Sequence, residues 1–353
     1  MSTVAEPEQG EVPDSPVDLS ARTWRYVLRR TWREFRRDQC LDQAAALTYY
    51  AVLSLFPALI ALLAVVGLVR QGESTVSTIE STATELGIPG VEDVLTPALR
   101  GLGEAPAGPG LALLVSLATA LWSASGYVGS LGRALNRIYE TEEGRPFWKL
   151  RPILLGVTMA LVLLAGAAVL TLGLSGPVAR AIGEQLGLGE TTVAVWNVVK
   201  WPLLGLCVVL AVTLLYWATP NIRPPGWRWL GLAATVAILL GVLASVVFGV
   251  YVDRASSYDR VYGTLSSVVV FLLWLWLVNG SLLFGAELGS ELERGRQLQS
   301  GVRAEARLRL GPRDHAGIDK QLRQERQDVA EGRELRTEAT GSDAPVDPDQ
   351  ARS

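Results

Sequence analysis

The chain alternates six long apolar runs with charged or Gly/Pro-rich breaks. The runs cover residues 44–69, 110–127, 153–174, 201–217, 230–252 and 265–284; the breaks include 70–110, 133–151, 220–229 and 253–262. Each run approaches the ~20 residues that carry a helix across a bilayer. Inside lipid every backbone amide needs an internal partner, so runs of this kind must be helical. They are apolar all round rather than striped, unlike the helices of a soluble bundle. The pattern predicts an all-α integral membrane protein: a bundle of six transmembrane helices with a basic amphipathic N-terminal helix before it. The fourth run is short and opens on Trp201-Pro202.

Composition sharpens this picture. Hydrophobic residues make up 49% of the chain and fall mainly in the six runs, while the charge lies almost entirely outside them. Cys40 and Cys207 are too few for a disulfide framework. The single histidine, His315, stands in a polar stretch and gives no clustered zinc ligands. The first twenty residues are acidic, with no basic n-region and no apolar h-region, so no cleavable signal is expected and the first span serves for insertion.

Basic flanks set orientation. Arg22, Arg25, Arg29, Arg30, Arg33, Arg36 and Arg37 precede the first run. Arg133, Arg137, Arg145, Lys149 and Arg151 follow the second; Arg294, Arg296, Arg303, Arg307 and Arg309 follow the last. The long stretch 70–109 has only Arg70 and Arg100 against six acids. Six spans with both termini in the cytoplasm, in the cell membrane, satisfy these biases. The division expected is a disordered acidic tail (1–19), a six-helix transmembrane domain (20–295) and a polar, partly disordered cytoplasmic tail (296–353). Within the domain, 20–41 reads as the basic amphipathic helix, suited to anionic lipid or to simple anchoring. Residues 70–109 suggest two short helices broken at Pro89-Gly90.

Polar residues within or beside the spans are the candidate functional groups, because such groups are costly in lipid and turn toward the bundle interior or a cavity. The first span opens with Asp42, Gln43, Thr48, Tyr49, Tyr50 and Ser54, followed by Pro57. Gln43, Leu47, Tyr50, Ser54 and Pro57 recur at helical spacing on one face. That stripe could line a pathway or serve as packing glue between helices. Trp122, Gly126, Gly129, Arg133 and Asn136 form a second stripe, with Ser123 beside it. Arg133 either snorkels to headgroups or pairs with Glu287 at the inner ends of the second and sixth spans. Asn279 and Glu287 lie in the last span, and Gly285-x-x-x-Gly289 offers a close-packing surface. Tyr262 and Gly263 sit in the fifth turn, where an interfacial aromatic belt is the simpler reading.

Taken in order, these pieces resemble a known family. Asp42-Gln43-Ala44-Ala45-Ala46-Leu47-Thr48-Tyr49-Tyr50 with Ser54-Leu55-Phe56-Pro57 resembles the opening signature of the YihY/BrkB membrane proteins. Leu121-Trp122-Ser123-Ala124-Ser125 and Leu135-Asn136-Arg137-Ile138-Tyr139 are similar to its second-span signature. Tyr262-Gly263-Thr264-Leu265, Trp274-Leu275-Trp276-Leu277-Val278-Asn279-Gly280 and Phe284-Gly285-Ala286-Glu287-Leu288 are similar to its closing one. The resemblance covers about residues 25–295. It implies a bacterial inner-membrane protein of six helices, from a group once labelled ribonuclease BN, a label regarded as a misassignment. It supplies no settled catalytic residues.

Two functions follow as expectations: a transporter or lipid-handling protein with a polar intramembrane cavity, or a non-transporting envelope scaffold. A ribonuclease fits poorly, since RNA hydrolysis draws on metal-bound water or a histidine pair. No cofactor and no metal are expected. The partners expected are membrane lipids, anionic ones above all, an unidentified solute, and a further copy of the chain, but no specific nucleic acid.

Overall fold

A computed structural model of the protein describes residues 13–69, 109–173, 190–223, 226–254 and 265–340. Among these the architecture is helical. We number the helices α1 (Ala21–Arg37), α2 (Cys40–Val69), α3 (Pro109–Ile138), α4 (Phe147–Gly173), α5 (Glu190–Ala218), α6 (Trp227–Arg254), α7 (Ser266–Gln299) and α8 (Ala316–Thr340). The helices expected in 70–109 and the turn holding Tyr262 and Gly263 lie outside the described residues.

Helices α2 to α7 form a closed ring. Each packs on the next in sequence, and α7 returns to α2. Cross-contacts of α2 with α4 and of α7 with α3 fill the middle. The buried core includes Leu47, Leu131, Leu135, Tyr216, Ala233 and Leu283.

Four helices contain stretches long and apolar enough to cross a membrane: Phe147–Leu172, Val198–Ala218, Trp227–Arg254 and Ser266–Gln299. The protein buries only 11% of the apolar window in the second of these. Val198, Trp201 and Leu206 on α5, and Leu239, Val242, Leu243 and Val246 on α6, are exposed. Apolar faces this extensive need a non-aqueous neighbour.

Helix limits differ from the runs because polar residues extend them. α5 begins at Glu190 and carries Pro202 in its interior, so the short fourth run is the later part of a longer helix. α3 continues past Tyr127 through Arg133 and Asn136 to Ile138. α2 runs through Pro57 without a break in helix assignment. α7 has 34 residues, about 51 Å at 1.5 Å per residue, against a hydrocarbon layer of about 30 Å. From Gly285 to Gln297 nearly every residue is buried, so the charged half of α7 is sheathed by protein. α1 covers it, as do the start of α6 and the stretch that follows α7.

Glycines permit the closest crossing. A Cβ on Gly285 would lie 2.5 Å from Ala237 Cβ, 2.7 Å from the Ala233 carbonyl oxygen and 2.8 Å from Tyr216 Oη. One on Gly289 would lie 3.0 Å from Ala233 Cβ. The Gly285-x-x-x-Gly289 face thus meets Ala233-x-x-x-Ala237 on α6. A Cβ on Gly295 would lie 2.8 Å from Val27 Cγ2, which sets α1 against α7.

The ends of the chain also dock here. Ser20 caps α1, accepting from the Thr23 amide at 3.1 Å. Gln299 accepts from the Ser20 amide at 3.1 Å and donates to the Asp18 carbonyl at 3.0 Å. Residues 13–19, within the stretch expected as a disordered tail, include a short 3-10 helix, Pro16–Asp18, and a buried Leu19. After α7, Ala304 and Leu308 are buried, Ile222 pairs with Pro312 in an isolated antiparallel bridge, and the Gly317 amide donates to the Gly144 carbonyl at 2.7 Å.

Gly285→Ala should force α6 and α7 apart, because two of the three nearest atoms are a backbone oxygen and a Cβ. A loss of about 1–3 kcal/mol is expected, read as a lower melting temperature in detergent. Gly249→Ala, with open space around it, should be neutral or slightly stabilising.

Candidate functional site

The polar side chains separate into an interior hydrogen-bond chain, a lateral set of aromatic–cationic contacts, and two charged networks at the end where α1, α3 and α7 meet. The interior chain is packing glue. Asn279, 3% exposed, accepts from Tyr127 Oη at 2.9 Å and donates to Thr48 Oγ1 at 3.2 Å, joining α7 to α3 and α2. Tyr216 donates to the Leu282 carbonyl. Trp276 Nε1 donates to the Leu41 carbonyl at 3.0 Å.

The aromatic–cationic contacts lie along α2, α3 and the start of α4. Tyr50 sits against the glycine stripe, its Cδ1 3.8 Å from where a Cβ on Gly126 would stand, and Arg133 lies over its ring at 5.7 Å. Tyr49 packs edge-on against Tyr50. Arg151 covers the Trp122 ring at 4.0 Å and donates to Ser125 Oγ at 3.1 Å. Trp122, Ser123, Tyr49 and Asp42 are exposed. Gln43 donates to the Asp38 carbonyl at 2.7 Å, closing the α1–α2 turn. Ser54 is buried and its hydroxyl has no hydrogen-bond partner.

The expected pair of Arg133 and Glu287 is not formed. Arg133 is held outward by Tyr50, and Glu287 makes no ion pair. Asn136, the last member of the α3 stripe, serves the first charged network. It donates to Glu143 at 3.0 Å and accepts from the Asn221 amide at 2.7 Å. Glu143 is gripped by two nitrogens of Arg145 at 2.7 Å each. Arg145 also donates to the Thr219 carbonyl at 2.6 Å. Asn221 then holds the Glu142 and Asp314 carbonyls, both at 3.0 Å. This network joins the α3–α4 loop, the α5–α6 loop and the chain after α7. Asp314, half-buried at the rim, is held below the usual carboxylate range by the hydrogen bond from Lys149.

The second network centres on Arg294, 1% exposed. Its Nε donates to both oxygens of Glu291, at 3.0 and 3.1 Å. Its Nη1 donates to the Ala304 carbonyl at 2.8 Å, and its Nη2 to Glu140 at 2.7 Å. Glu140 has a left-handed backbone, φ 51°, unusual for a residue with a side chain. That turn ends α3 and delivers one carboxylate oxygen to Arg294 and the other to the Leu308 amide at 2.9 Å. Arg30 from α1 approaches Glu291 at 3.0 Å. The two charges meet as an ion pair without an aligned hydrogen bond at Nε. Glu34 meets Arg30 and Arg37, each at 3.4 Å.

Beside this network lies a cavity of about 370 Å³. Its walls carry Glu34, Asp38, Glu140, Glu287 and Glu291, with Arg37 and Arg307 at the same surface. Glu287 is 1% exposed and its Oε2 has no partner. Burial pushes the Asp38 carboxyl above its ordinary range; Arg137 opposes the shift, and Glu34 adds to it. Of the residues singled out from sequence, only Glu287 reaches this cavity. Tyr50 and Trp122 belong to the aromatic–cationic contacts, and Asn279 to the packing chain. The partners that matter most here, Arg294, Glu291 and Glu140, look in sequence like ordinary charged flank. The i,i+3 pairs Glu291–Arg294 and Glu293–Arg296 were the one legible signal.

A family model described as Virulence factor BrkB matches residues 31–308. A relative named "Putative ribonuclease-like protein YfkH" from Bacillus subtilis is 25% identical over 272 residues, covering 77% of this chain and 96% of the relative. A "UPF0761 membrane protein" from Laribacter hongkongensis is 29% identical over 263 residues, with 74% of this chain and 60% of the relative covered. One from Alcanivorax borkumensis is 28% identical over 286 residues, covering 79% and 63%. The chain therefore spans less than two thirds of these two membrane proteins. No solved structure matches.

Removing Arg294 should strand a buried Glu291. Arg294→Met is expected to lower stability by about 3–5 kcal/mol, and adding Glu291→Gln should recover part of that loss in thermal melts. For Asp38 the sign runs the other way. Its folded form favours the proton, so the ionised form weakens the fold above the raised pKa. Asp38→Asn should raise the melting temperature at neutral pH, and the gain should vanish as pH falls through that pKa to below the ordinary carboxylate range.

Proposed function

The chain belongs to the Virulence factor BrkB family of membrane proteins, and from that premise we propose that it works as a transporter of the bacterial cytoplasmic membrane. In this reading α2 to α7 are six spans, and the charged end, with both termini, faces the cytoplasm. The exposed apolar faces of α4 to α7 and the ring closure through α2 and α3 support the spans. The arginines of α1 and of residues 294–309 support the orientation.

One observation carries the transport reading: Glu287, on the spanning helix α7, is buried without a counter-ion beside a cavity. An ionisable group at membrane depth marks a solute or ion path more often than a structural need. From Ser266, Glu287 is about 30 Å along the helix; in this reading it stands at the inner end of the span, within the part of α7 that protein sheathes. The exposed rings of Tyr49 and Trp122, with Tyr50, Arg133 and Arg151 against them, give the lipid-handling variant a surface, since aromatic rings and arginines suit headgroup depth. The scaffold alternative draws on α8, whose Leu322, Val329 and Leu335 are exposed. The name of the Bacillus subtilis relative supplies no catalytic step for this chain, whose single histidine cannot form the histidine pair that one mode of RNA hydrolysis uses.

Full-length protein in proteoliposomes should move charged solutes across the membrane, measured as electrogenic currents. A parallel dithionite assay with fluorescent phospholipid reports lipid movement. Glu287→Gln should cut the solute flux at least about tenfold, equivalent to about 1.4 kcal/mol. Tyr50→Phe keeps the ring contacts and should leave it unchanged. Absence of both solute and lipid flux would overturn transport; lipid flux alone, indifferent to Glu287, would move the function to the aromatic–cationic surface of Tyr49 and Trp122.

A further inference from the structure

We propose that the acidic cavity binds one small organic cation, a protonated amine, with Glu287 and Asp38 as its counter-ions. Use of the site in transport rests on the reading above; binding does not.

Three of the cavity's carboxylates are already neutralised. Of the five on the cavity wall, Glu34 is met by Arg30, Arg33 and Arg37. Glu140 is held by Arg294 and the Leu308 amide. Glu291 lies between Arg294 and Arg30. Glu287 and Asp38 have no ion pair among the described residues. The neighbouring arginines are engaged elsewhere. Arg30, Arg37 and Arg294 are engaged as above, and Arg307 donates to the Glu140 carbonyl at 3.3 Å. Arg137 acts on Asp38 from α3 only at a distance. Glu287 is fully buried and lines the cavity with an unpartnered oxygen. A buried carboxylate without a partner is expensive, and a cation entering the cavity would offset that penalty.

The chemistry of the wall chooses among cations. Ca²⁺ takes 6–8 oxygen ligands, and Mg²⁺ needs near-ideal octahedral geometry. Among the described residues no three Asp, Glu, His or Cys side chains converge closely enough to hold a metal ion. An ammonium group carries three donors and asks only for a few acceptors. Ile138 and Ala306 complete the wall and suit a short alkyl stem. The volume lies within the range of small-molecule pockets.

The test uses the purified full-length protein in detergent, with 1,4-diaminobutane and propylamine as probes and MgCl₂ and NaCl at matched ionic strength as controls. Calorimetric titration and thermal shift should show saturable binding of the amines and none of the metal salts. Glu287→Gln should weaken amine binding at least about tenfold, Asp38→Asn should weaken it less, and Glu305→Gln, at an exposed acid, should not change it. Should Glu287→Gln fail to fold, Asp38→Asn and competition between the two amines on wild-type protein decide the matter. Saturation by Mg²⁺ instead, or no ligand effect beyond a pH-dependent stability that Glu287→Gln abolishes, overturns the proposal in favour of a metal or a proton. Amine binding without flux in proteoliposomes would sink the transport reading and leave this site standing; flux with no amine binding would do the reverse.

Discussion

Arg294 sits in the protein with about 1% of its surface exposed and uses three of its nitrogens on three different parts of the chain. Burying a guanidinium carries a desolvation penalty of several kcal/mol, offset only when geometry is good and the remaining donors are met. Glu291 comes from its own helix, Glu140 from the end of α3 and the Ala304 carbonyl from the chain after α7. None of these can move without leaving a charge unpaired. The left-handed Glu140 shows the same constraint from the other side: a conformation that costs on the order of 1–2 kcal/mol in a residue with a Cβ persists because both carboxylate oxygens are used. The cavity exists because these elements are pinned apart at fixed spacing.

The two halves of α7 follow two sets of rules. Up to Phe284 the helix is apolar with partly exposed faces, and its one strongly polar interior group, Asn279, is satisfied by two neighbouring helices. Beyond it, Gly285 and Gly289 bring α6 to near-backbone contact, Gly295 does the same for α1, and glutamates and arginines fill the remaining space. Close packing at the glycines buries the charged half of α7, and its single uncompensated carboxylate lines the cavity.

The architecture was legible where periodicity and physics coincide. All-round apolar runs announced helices, and the small-residue spacing at Gly285 and Gly289 announced a tight crossing. Asn279 read as a polar group needing an inward partner, and it has two. What sequence reading could not reach was pairing over long separations. Arg294 and Glu140 are far apart in sequence, as are Asn136 and Asn221, and each looks like ordinary flanking charge or loop. Positive flanks have two roles, setting topology and making buried ion pairs, and composition does not separate them. The Arg133–Glu287 pair was a reasonable guess from helix ends alone. It failed because Tyr50 holds Arg133 on the outer side of α3 while Glu287 turns toward α1. The closed course of 300–317 was likewise hidden, since it depends on backbone carbonyls that no side-chain pattern reveals.

The pattern of satisfaction is itself the strongest argument about the site. Among the described residues the buried side-chain atoms without a hydrogen bond are Arg30 Nε, Ser54 Oγ, Trp196 Nε1 and Glu287 Oε2. Arg30 Nε still lies 3.0 Å from a carboxylate oxygen. Ser54 and Trp196 are neutral groups, whose burial without a partner costs far less than that of a charge. Glu287 alone carries an ionisable group with no counter-charge. The same end of the molecule meets Glu34, Glu140, Glu143, Glu291 and Glu293 with arginine in every case. A fold that compensates five glutamates and spares a sixth, beside a cavity, has left that position for something that arrives from solution.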